Sequence, residues 1–207
     1  PRDVTLGGGE IFVADTGNAR VLVFSMDGVF SRQIDIDCYK IEYSQGFLYA
    51  SHSSENTVVV ADPQGNIKTV LGSPGIAGSD MEHMNFPQGV AVDQRGRIYV
   101  ADYGNHRILV FNDLNDTTAD ALIGETGNPG SDMSHLKNPS DVKVTDGRLY
   151  IADSGNHRIV VYDIGEKGAE STGENTATFT PLYTIGVSGI SGDDNAHFDT
   201  PWDIYVD

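Results

Sequence analysis

Residues 96–111 have the sequence GRIYVADYGNHRILVF, and the chain contains three further versions of this stretch. Residues 9–24 are GEIFVADTGNARVLVF, and residues 147–162 are GRLYIADSGNHRIVVY. A more divergent copy, GFLYASHSSENTVVVA, occupies residues 46–61. Each copy has two short runs rich in β-branched and aromatic residues on either side of a small polar segment, a pattern that predicts two strands joined by a tight turn. Recurrence of this hairpin indicates a repeat architecture.

A second repeated element lies between the hairpins. Residues 72–87, 124–139 and 186–201 place Gly, Asp, His and Pro at identical internal spacing, and each ends on the proline. A short strand is predicted after each proline, at 89–93, 141–145 and 203–207, and a similar one at 3–6 follows Pro1. A fourth strand, such as ALIG at 121–124, closes each unit. The units are predicted to span 1–38, 39–86, 87–138 and 139–200, with 201–207 as a partial fifth.

The predicted strands are apolar on both alternating faces. A sheet of such strands has to be covered on both sides, and four-stranded sheets stacked around an axis provide that cover. The sequence therefore predicts an all-β chain forming a β-propeller of four-stranded antiparallel blades, with four complete blades and the first strand of a fifth. The single domain would span residues 1–207 as a fragment of a larger propeller.

The segments ADYGNHRI at 101–108 and ADSGNHRI at 152–159, with the proline-led strands before them, closely resemble NHL repeats. The resemblance covers almost the whole chain. It implies a propeller that usually has six blades, in which the proline-led strand is innermost and the fourth strand outermost. The second unit departs most from the pattern, because His52 and Thr57 stand where the other units have Asp and Arg, and the junction before it lacks the Gly-rich linker.

The composition is strongly acidic, with 13 Lys and Arg against 30 Asp and Glu and a net charge of −17. Binding to nucleic acids or to anionic membrane surfaces draws on clustered basic residues, so this charge argues against both, including the RNA binding that some tripartite-motif NHL proteins perform. No apolar run approaches the roughly 18 residues of a membrane span. The acidity, the Gly-rich repeats and the glycosylation pattern at Asn115 favour an extracellular or periplasmic location.

Acidic and basic residues five positions apart flank each hairpin turn in three of the units. An Asp at the end of one strand can accept hydrogen bonds from the turn and pair with an Arg that begins the next strand. The divergent unit lacks both members, which favours a structural turn clamp over a catalytic ion pair. Gly17, Gly104 and Gly155 predict a turn with positive φ. The paired residues are Asp15 and Arg20, Asp102 and Arg107, and Asp153 and Arg158.

The six histidines are predicted to share one face of the propeller. His52, His106 and His157 lie in or beside the turn between the second and third strands. His83, His135 and His197 lie in the linkers, each three residues after an aspartate. Residues related by the rotation between blades stand too far apart to converge on one tetrahedral metal ion, so packing and hydrogen bonding of the linkers are favoured over a metal site.

Positions that vary within the constant frame are the best ligand-binding candidates, since a repeat scaffold acquires specificity there. The residue after each proline is predicted to enter the central channel. The neighbouring position carries an aspartate in three units. The oxygens of these aspartates could coordinate Ca²⁺, or they could instead accept hydrogen bonds from the backbone of the neighbouring blade. The channel-entrance candidates are Arg2, Tyr39, Gln88, Ser140 and Trp202, and the metal candidates are Asp3, Asp141 and Asp203, with Lys40 and Gly89 in the other two units.

The sequence favours a binding function over an enzyme. Regular repeats without a distinct catalytic constellation point to a scaffold that recognises a protein, peptide or glycan through one propeller face in an extracellular assembly, with no required cofactor. The alternative is a metal-dependent enzyme, because the resemblance extends to six-bladed lactonases and to the lyase that cleaves peptidyl-hydroxyglycine. Open blade edges would also favour self-assembly. The polar insertion at 165–178 is predicted to form a loop on the opposite face.

Overall fold

The computed structural model describes residues 1–165 and 179–206, so the predicted loop at 165–178 lies outside the described residues except for Gly165. Within the described ranges, sixteen strands form four antiparallel sheets of four strands each. Every sheet keeps its strands in chain order, and consecutive strands are hydrogen-bonded neighbours. The first three strands of each sheet are joined by short turns, and the second, third and fourth sheets are joined to one another by linkers of about fifteen residues.

The strand bounds follow the four predicted units. The first sheet contains β1 (Asp3–Gly7), β2 (Glu10–Asp15), β3 (Arg20–Ser25) and β4 (Phe30–Ile34), and the second contains β5 (Lys40–Ser44), β6 (Phe47–His52), β7 (Thr57–Ala61) and β8 (Ile67–Leu71). The third contains β9 (Pro87–Val92), β10 (Ile98–Asp102), β11 (Arg107–Phe111) and β12 (Ala121–Gly124), and the fourth contains β13 (Pro139–Thr145), β14 (Arg148–Asp153), β15 (Arg158–Asp163) and β16 (Thr180–Ile185).

The core lies between the sheets. In β10, Ile98 and Val100 pack into a cluster shared with the second sheet. Tyr99 and Ala101, on the opposite face of the same strand, pack into a cluster shared with the fourth sheet. All four side chains are fully buried. Alternate residues of one strand thus enter two different cores, which explains why the strands are apolar on both faces.

The innermost strands β1, β5, β9 and β13 contact one another in that order. Sheets that follow one another with their first strands together are the blades of a β-propeller, and the predicted fold class is confirmed. Among the described residues, no helix is long and apolar enough to cross a membrane.

The strand predicted at 203–207 is not formed. Residues 201–206 carry no strand assignment, and Asp207 lies outside the described residues. In every complete blade, the inner strand is held by a ladder of hydrogen bonds to the second strand of its own sheet. Residues 201–206 have no such ladder among the described residues. Extended backbone without ladder hydrogen bonds does not constitute a strand.

Candidate binding face

One end of the propeller is built from the linkers between blades and from the turns between the second and third strands. The backbone N–H of Gly104, in such a turn, donates to the carbonyl of Asn85 in the preceding linker at 2.8 Å. Gly155 and Lys137 repeat this bond at 2.9 Å one blade later. We call this end the linker face, defined by linkers 72–86, 124–138 and 186–200 and by turns 16–19, 53–56, 103–106 and 154–157.

Close approach, rather than positive φ, explains the glycines of two turns, Gly104 and Gly155, whereas an added Cβ atom at Gly17 would meet nothing within 4 Å. A Cβ atom added at Gly104 would lie 2.6 Å from the Cγ atom of Asn85, and one at Gly155 would lie 2.7 Å from the carbonyl oxygen of Lys137. The positive φ angle falls two residues later, at His106 (60°) and His157 (56°). The turn therefore contains the predicted positive φ, but at its last residue and not at its glycine. Gly104 and Gly155 provide room for the linker.

In three of the four hairpins the aspartate and arginine form the expected ion pair, and in two of them the arginine also holds a linker. In the third blade, Nε of Arg107 donates to Oδ2 of Asp102 at 2.8 Å. Its Nη atoms donate to the carbonyls of Ser79, Asp80 and His83 at 2.6–3.0 Å. Both Arg107 and Asp102 are buried. A single guanidinium thus joins the turn of one blade to the linker that precedes it.

The same arrangement recurs in the fourth blade but not in the first. Nε of Arg158 donates to Asp153 at 2.7 Å, and its Nη atoms donate to three carbonyls of linker 124–138. Arg20 pairs with Asp15 at 2.8 Å, yet its remaining described contact is the side chain of Gln33. Among the described residues no linker carbonyl accepts from Arg20, and its side chain is 35% exposed.

In three units the side chain of the last turn residue holds the end of the next linker by a hydrogen bond. Nδ1 of His106 accepts from the backbone N–H of Asn138 at 3.1 Å. His157 accepts in the same way from Thr200, and Asn56 accepts from Phe86. Phe86, Asn138 and Thr200 each precede a proline and have positive φ, between 48° and 55°. These side chains therefore hold a strained backbone position at the entry to the inner strand.

His106 has to be neutral at Nδ1 to accept this bond. Burial lowers the pKa of His106, and the nearby Lys137 lowers it further. Because the folded-state pKa lies below the unfolded value, the stability linked to His106 is present at neutral pH and is lost as the pH falls below about 6.5.

We expect His106→Asn to retain the acceptor, as Asn56 does in the second unit, and to tolerate the left-handed backbone. His106→Ala should lower the free energy of unfolding by about 1 kcal/mol at pH 7.5, because the Asn138 N–H loses its partner. Denaturation in urea at pH 5.0 and 7.5 measures both effects. His106→Asn should show less acid destabilisation than the unchanged chain, and equal acid sensitivity of the two would contradict the assigned role.

The linker histidines pair with the aspartates three residues before them. The Nδ1 to Oδ1 distance is 2.8 Å for His83 and Asp80, and 2.7 Å for both His135 with Asp132 and His197 with Asp194. The hydrogen bonds that His135 donates to Asp132, and then to Glu125, raise the pKa of His135. Each pair closes its own linker, so the structure brings no two of these histidines together as metal ligands would be. These contacts hold each histidine within its own linker.

The channel contains a lysine between two of the carboxylates that were candidate metal ligands. Nζ of Lys40, in the inner strand of the second blade, lies 3.1 Å from Oδ1 of Asp141 and 2.9 Å from Oδ1 of Asp203. Asp3 instead accepts the backbone N–H of Ile41 at 2.8 Å. Asp141 accepts that of Ile204 at 2.9 Å. Two of the three aspartates therefore bond to the backbone of the next unit.

Burial dominates the electrostatics of this channel. It raises the pKa of Asp141 to about 7, with a further increase from the Asp203 hydrogen bond and a decrease from Lys40. Burial also opposes ionisation of Asp203, but hydrogen bonds from Asp141 and Lys40 outweigh it and lower that pKa to about 2. The ammonium group of Lys40 supplies the positive charge that Ca²⁺ would supply. Among the described residues, no group of three or more His, Cys, Asp or Glu could hold a metal ion.

Aromatic rings line the linker face beside the channel. Tyr39 and Phe86 have ring centroids 5.9 Å apart, Phe86 and Tyr103 are 6.2 Å apart, and Tyr103 and Trp202 are 6.1 Å apart. Phe86 and Trp202 are 39% and 40% exposed. We call these four residues the aromatic arc. The guanidinium carbon of Arg2 lies 4.4 Å from the centroid of Tyr39, at one end of the arc.

The structure brings three of the five channel-entrance candidates together and separates two. Arg2, Tyr39 and Trp202 lie at the arc, whereas Gln88 and Ser140 are fully buried. The hydroxyl of Ser140 donates to the carbonyls of Pro201 and Trp202, so contact with the next unit buries this position. Neither polar atom of the Gln88 side chain has a hydrogen-bond partner among the described residues.

Sequence reasoning missed the other two members of the arc. Phe86 precedes the repeat proline, where the later units have Asn138 and Thr200. Tyr103 begins the turn in a position occupied by Thr16, Ser53 and Ser154 elsewhere. Both are large aromatic residues at positions that are otherwise polar. This departure from the repeat pattern is the sequence signal by which Phe86 and Tyr103 could have been found.

A separate cavity of about 490 Å³ lies at the opposite end of the strands. Its lining includes Asp93 and Arg95 from the turn after β9, and Asp146 and Gly147 from the turn after β13. Those turns join first and second strands, so they lie away from the linker face. The cavity and the aromatic arc are therefore distinct features.

Three segments of the chain match the model of a known repeat family. The family model described as NHL repeat matches residues 1–24, 84–111 and 136–162. The chain is 26% identical over 199 residues to NHL repeat-containing protein 3 of Mus musculus, an alignment that covers 85% of this chain and 53% of the relative.

The chain carries NHL repeats.

Other relatives and solved structures share the same fold. The chain is 28% identical over 130 residues to peptidylglycine alpha-amidating monooxygenase of Rattus norvegicus, covering 61% of this chain and 13% of that protein. The crystal structure of a nidogen/laminin complex is similar with a TM-score of 0.57 and 18% identity, covering 77% of this chain and 58% of that chain. Virginiamycin B lyase from Staphylococcus aureus has a TM-score of 0.59 and 17% identity, with coverages of 88% and 55%.

These similarities bear on the fold more than on the function. The chain spans about half the length of the NHL repeat-containing protein 3 sequences that it matches, at 53% of each. The two solved structures are below one-fifth identical to it and show the propeller fold alone. The presence of NHL repeats leaves both a binding function and an enzymatic function open.

Proposed function

We propose that this NHL-repeat domain is a non-catalytic binding module that recognises a protein, peptide or glycan through the linker face. The observation that supports the proposal is the aromatic arc. Its rings come from three different units, and Phe86 and Trp202 are exposed to about two-fifths. Exposed aromatic residues in contact with one another are typical anchors of recognition surfaces. The frame around them is held by buried ion pairs, so the rings have a rigid support.

The channel carboxylates give less support to catalysis. Asp141 and Asp203 pair with Lys40, and Asp3 bonds to the backbone of the second blade. These contacts connect the units to one another. The buried thiol of Cys38 has its pKa raised to about 12 by burial, so it stays protonated and is a poor nucleophile.

Defined peptide and glycan arrays, probed with the full chain, test the binding proposal. Tyr103→Ser removes one ring of the arc and introduces the residue found at Ser53 and Ser154. Tyr183→Ser removes a tyrosine from the outer strand β16 and is the matched control. We expect a specific ligand to lose signal with Tyr103→Ser and to keep it with Tyr183→Ser. Ligands that lose signal equally with both variants would place recognition away from the linker face.

The alternative function is a metal-dependent enzyme similar to the lactonases or the peptidyl-hydroxyglycine lyase. It is favoured by the 28% identity to the amidating monooxygenase over 130 residues. Incubation of the full chain with a peptidyl-hydroxyglycine and added Ca²⁺ or Zn²⁺ tests it, and metal-dependent turnover would overturn the non-catalytic proposal. The extracellular or periplasmic location, and self-assembly through open blade edges, stay predictions of the sequence.

A further inference from the structure

We propose that the aromatic arc binds a basic peptide segment, with lysine or arginine side chains lying against its rings. The inference rests on the proposed binding function and specifies the ligand. It follows from three observations on the linker face. These are a cation already seated on one ring, a consistent acidic charge around the arc, and the spacing of the rings.

The contact between Arg2 and Tyr39 shows how a ring of the arc accommodates a cation. The guanidinium carbon lies 4.4 Å from the ring centroid, and Nη1 donates to the tyrosine hydroxyl at 2.8 Å. A cation within about 6 Å of an aromatic centroid is attracted by the negative face of the ring. Phe86, Tyr103 and Trp202 have no cation–π partner among the described residues. Three rings of the arc are therefore available to a ligand.

Each segment that leads into the arc is acidic and lacks Lys and Arg. Residues 35–39, which end at Tyr39, carry two aspartates. Residues 72–86, which end at Phe86, carry Asp80 and Glu82, and residues 186–200, just before Trp202, carry three aspartates. These three segments together carry seven carboxylates, against two basic side chains at the arc, Arg2 beside Tyr39 and Lys40 at the carbonyl of Trp202, so acidic charge predominates. A surface of this kind attracts cations and repels anions.

The charge of these segments is only weakly compensated within the chain. In the described part of the protein, their ion pairs are formed with histidines, such as Asp37 with His52 at 3.3 Å and Asp199 with His157 at 3.6 Å. Neither Lys nor Arg pairs with them there. A basic ligand would supply the missing positive charge.

The ring spacing favours an extended peptide over a single small cation. Successive centroids of the arc are 5.9, 6.2 and 6.1 Å apart. In an extended chain, side chains on the same side are two residues apart, which is about 6.6 Å at roughly 3.3 Å per residue. A peptide with a cationic side chain at every second residue therefore matches the spacing of the rings.

The test uses a blocked peptide in which arginine alternates with glycine. Trp202 is the only tryptophan of the chain and belongs to the arc, so its fluorescence reports occupancy of the site. Matched peptides replace arginine by neutral citrulline or by glutamate. We expect the arginine peptide to change the fluorescence of Trp202 and to bind at least tenfold more tightly than either control peptide. Trp202→Phe, followed by calorimetry, should remove the optical signal while heat of binding remains detectable.

Three variants separate the inference from bulk attraction to an acidic protein. Tyr103→Ser should weaken binding of the arginine peptide about two- to fivefold, the loss expected for one exposed cation–π contact. Tyr183→Ser should leave the affinity unchanged. Arg2→Ala should tighten binding, because it removes a like charge and frees the ring of Tyr39. An anionic ligand would instead bind more weakly to Arg2→Ala.

Several results would overturn the inference. They are equal affinity for the citrulline or glutamate peptide, weaker binding by Arg2→Ala, or binding of the arginine peptide that is insensitive to Tyr103→Ser. A glycan or neutral peptide that binds in a Tyr103-dependent manner would overturn the basic-peptide inference while leaving the binding module intact. Turnover of a substrate by the full chain would instead overturn the proposed function itself.

Discussion

Arg107→Ala is expected to lower the free energy of unfolding by about 3–5 kcal/mol, the range found when one partner of a buried ion pair is removed. Asp102 would remain fully buried without its cation, and burial already raises the pKa of this carboxyl. The carbonyls of Ser79, Asp80 and His83 would lose their guanidinium donor as well. Equilibrium denaturation in urea measures the loss.

Two further variants interpret this result. Arg20→Ala removes the equivalent residue of the first unit, which holds no linker carbonyl in the described structure, and should cost much less. Arg107→Lys keeps a positive charge but lacks the planar fork that reaches several carbonyls, so its stability should be intermediate. This variant also remains informative if Arg107→Ala does not fold. Similar losses for Arg20→Ala and Arg107→Ala would show that linker anchoring contributes little.

The second large effect is a fall in stability between about pH 4 and pH 7 that originates at Asp141. Its pKa is raised to about 7, mainly by burial, so the folded protein holds this proton more tightly than the unfolded chain does. Stability linked to Asp141 is therefore highest below the unfolded pKa and is lost as the pH rises through about 7. With about 1.4 kcal/mol for each pKa unit, the fall amounts to a few kcal/mol.

Asp141→Asn removes the titrating group and should abolish this fall. Urea denaturation of both proteins from pH 4.0 to 8.0 gives the difference in their free energies of unfolding. Asp203 has a lowered pKa of about 2, so its own contribution changes below pH 4 and does not overlap with this window. Parallel stability curves for the two proteins would show that Asp141 titrates normally in the folded state.

The architecture was accessible from the sequence because its determinants are local. The continuous apolar run at 98–101 predicts a strand that is buried on both faces, and the structure places Ile98 and Tyr99 in different cores. The Asp–Arg pairs were accessible for the same reason, since five residues across a tight turn bring the two side chains together. Residues 203–207 were predicted as a strand because the other units have one after the repeat proline, but a strand also needs a hydrogen-bonded neighbour.

The site was only partly accessible because it depends on contacts between blades. Trp202 and Tyr39 could be selected as variable positions, but their connection through Phe86 and Tyr103 depends on how neighbouring units are rotated. Lys40 was noted as a departure from Asp, yet its distance to Asp141 follows from the width of the channel. Ser140 illustrates the opposite error, because a position that is exposed in one unit can be buried by the unit that follows.

Two of the linkers are anchored by the blade that follows them. A linker and the blade after it therefore form a structural unit whose bounds differ from those of the sheet. Linker 72–86 follows the second sheet in the chain, but Arg107 binds it to the third, and Arg158 likewise binds linker 124–138 to the fourth. A segment that contains a linker and the three strands after it therefore keeps its own anchor when it is moved or deleted. Chimaeric propellers should accordingly be joined just before the linker, near Gly72 or Gly124, rather than at the proline that begins the next sheet.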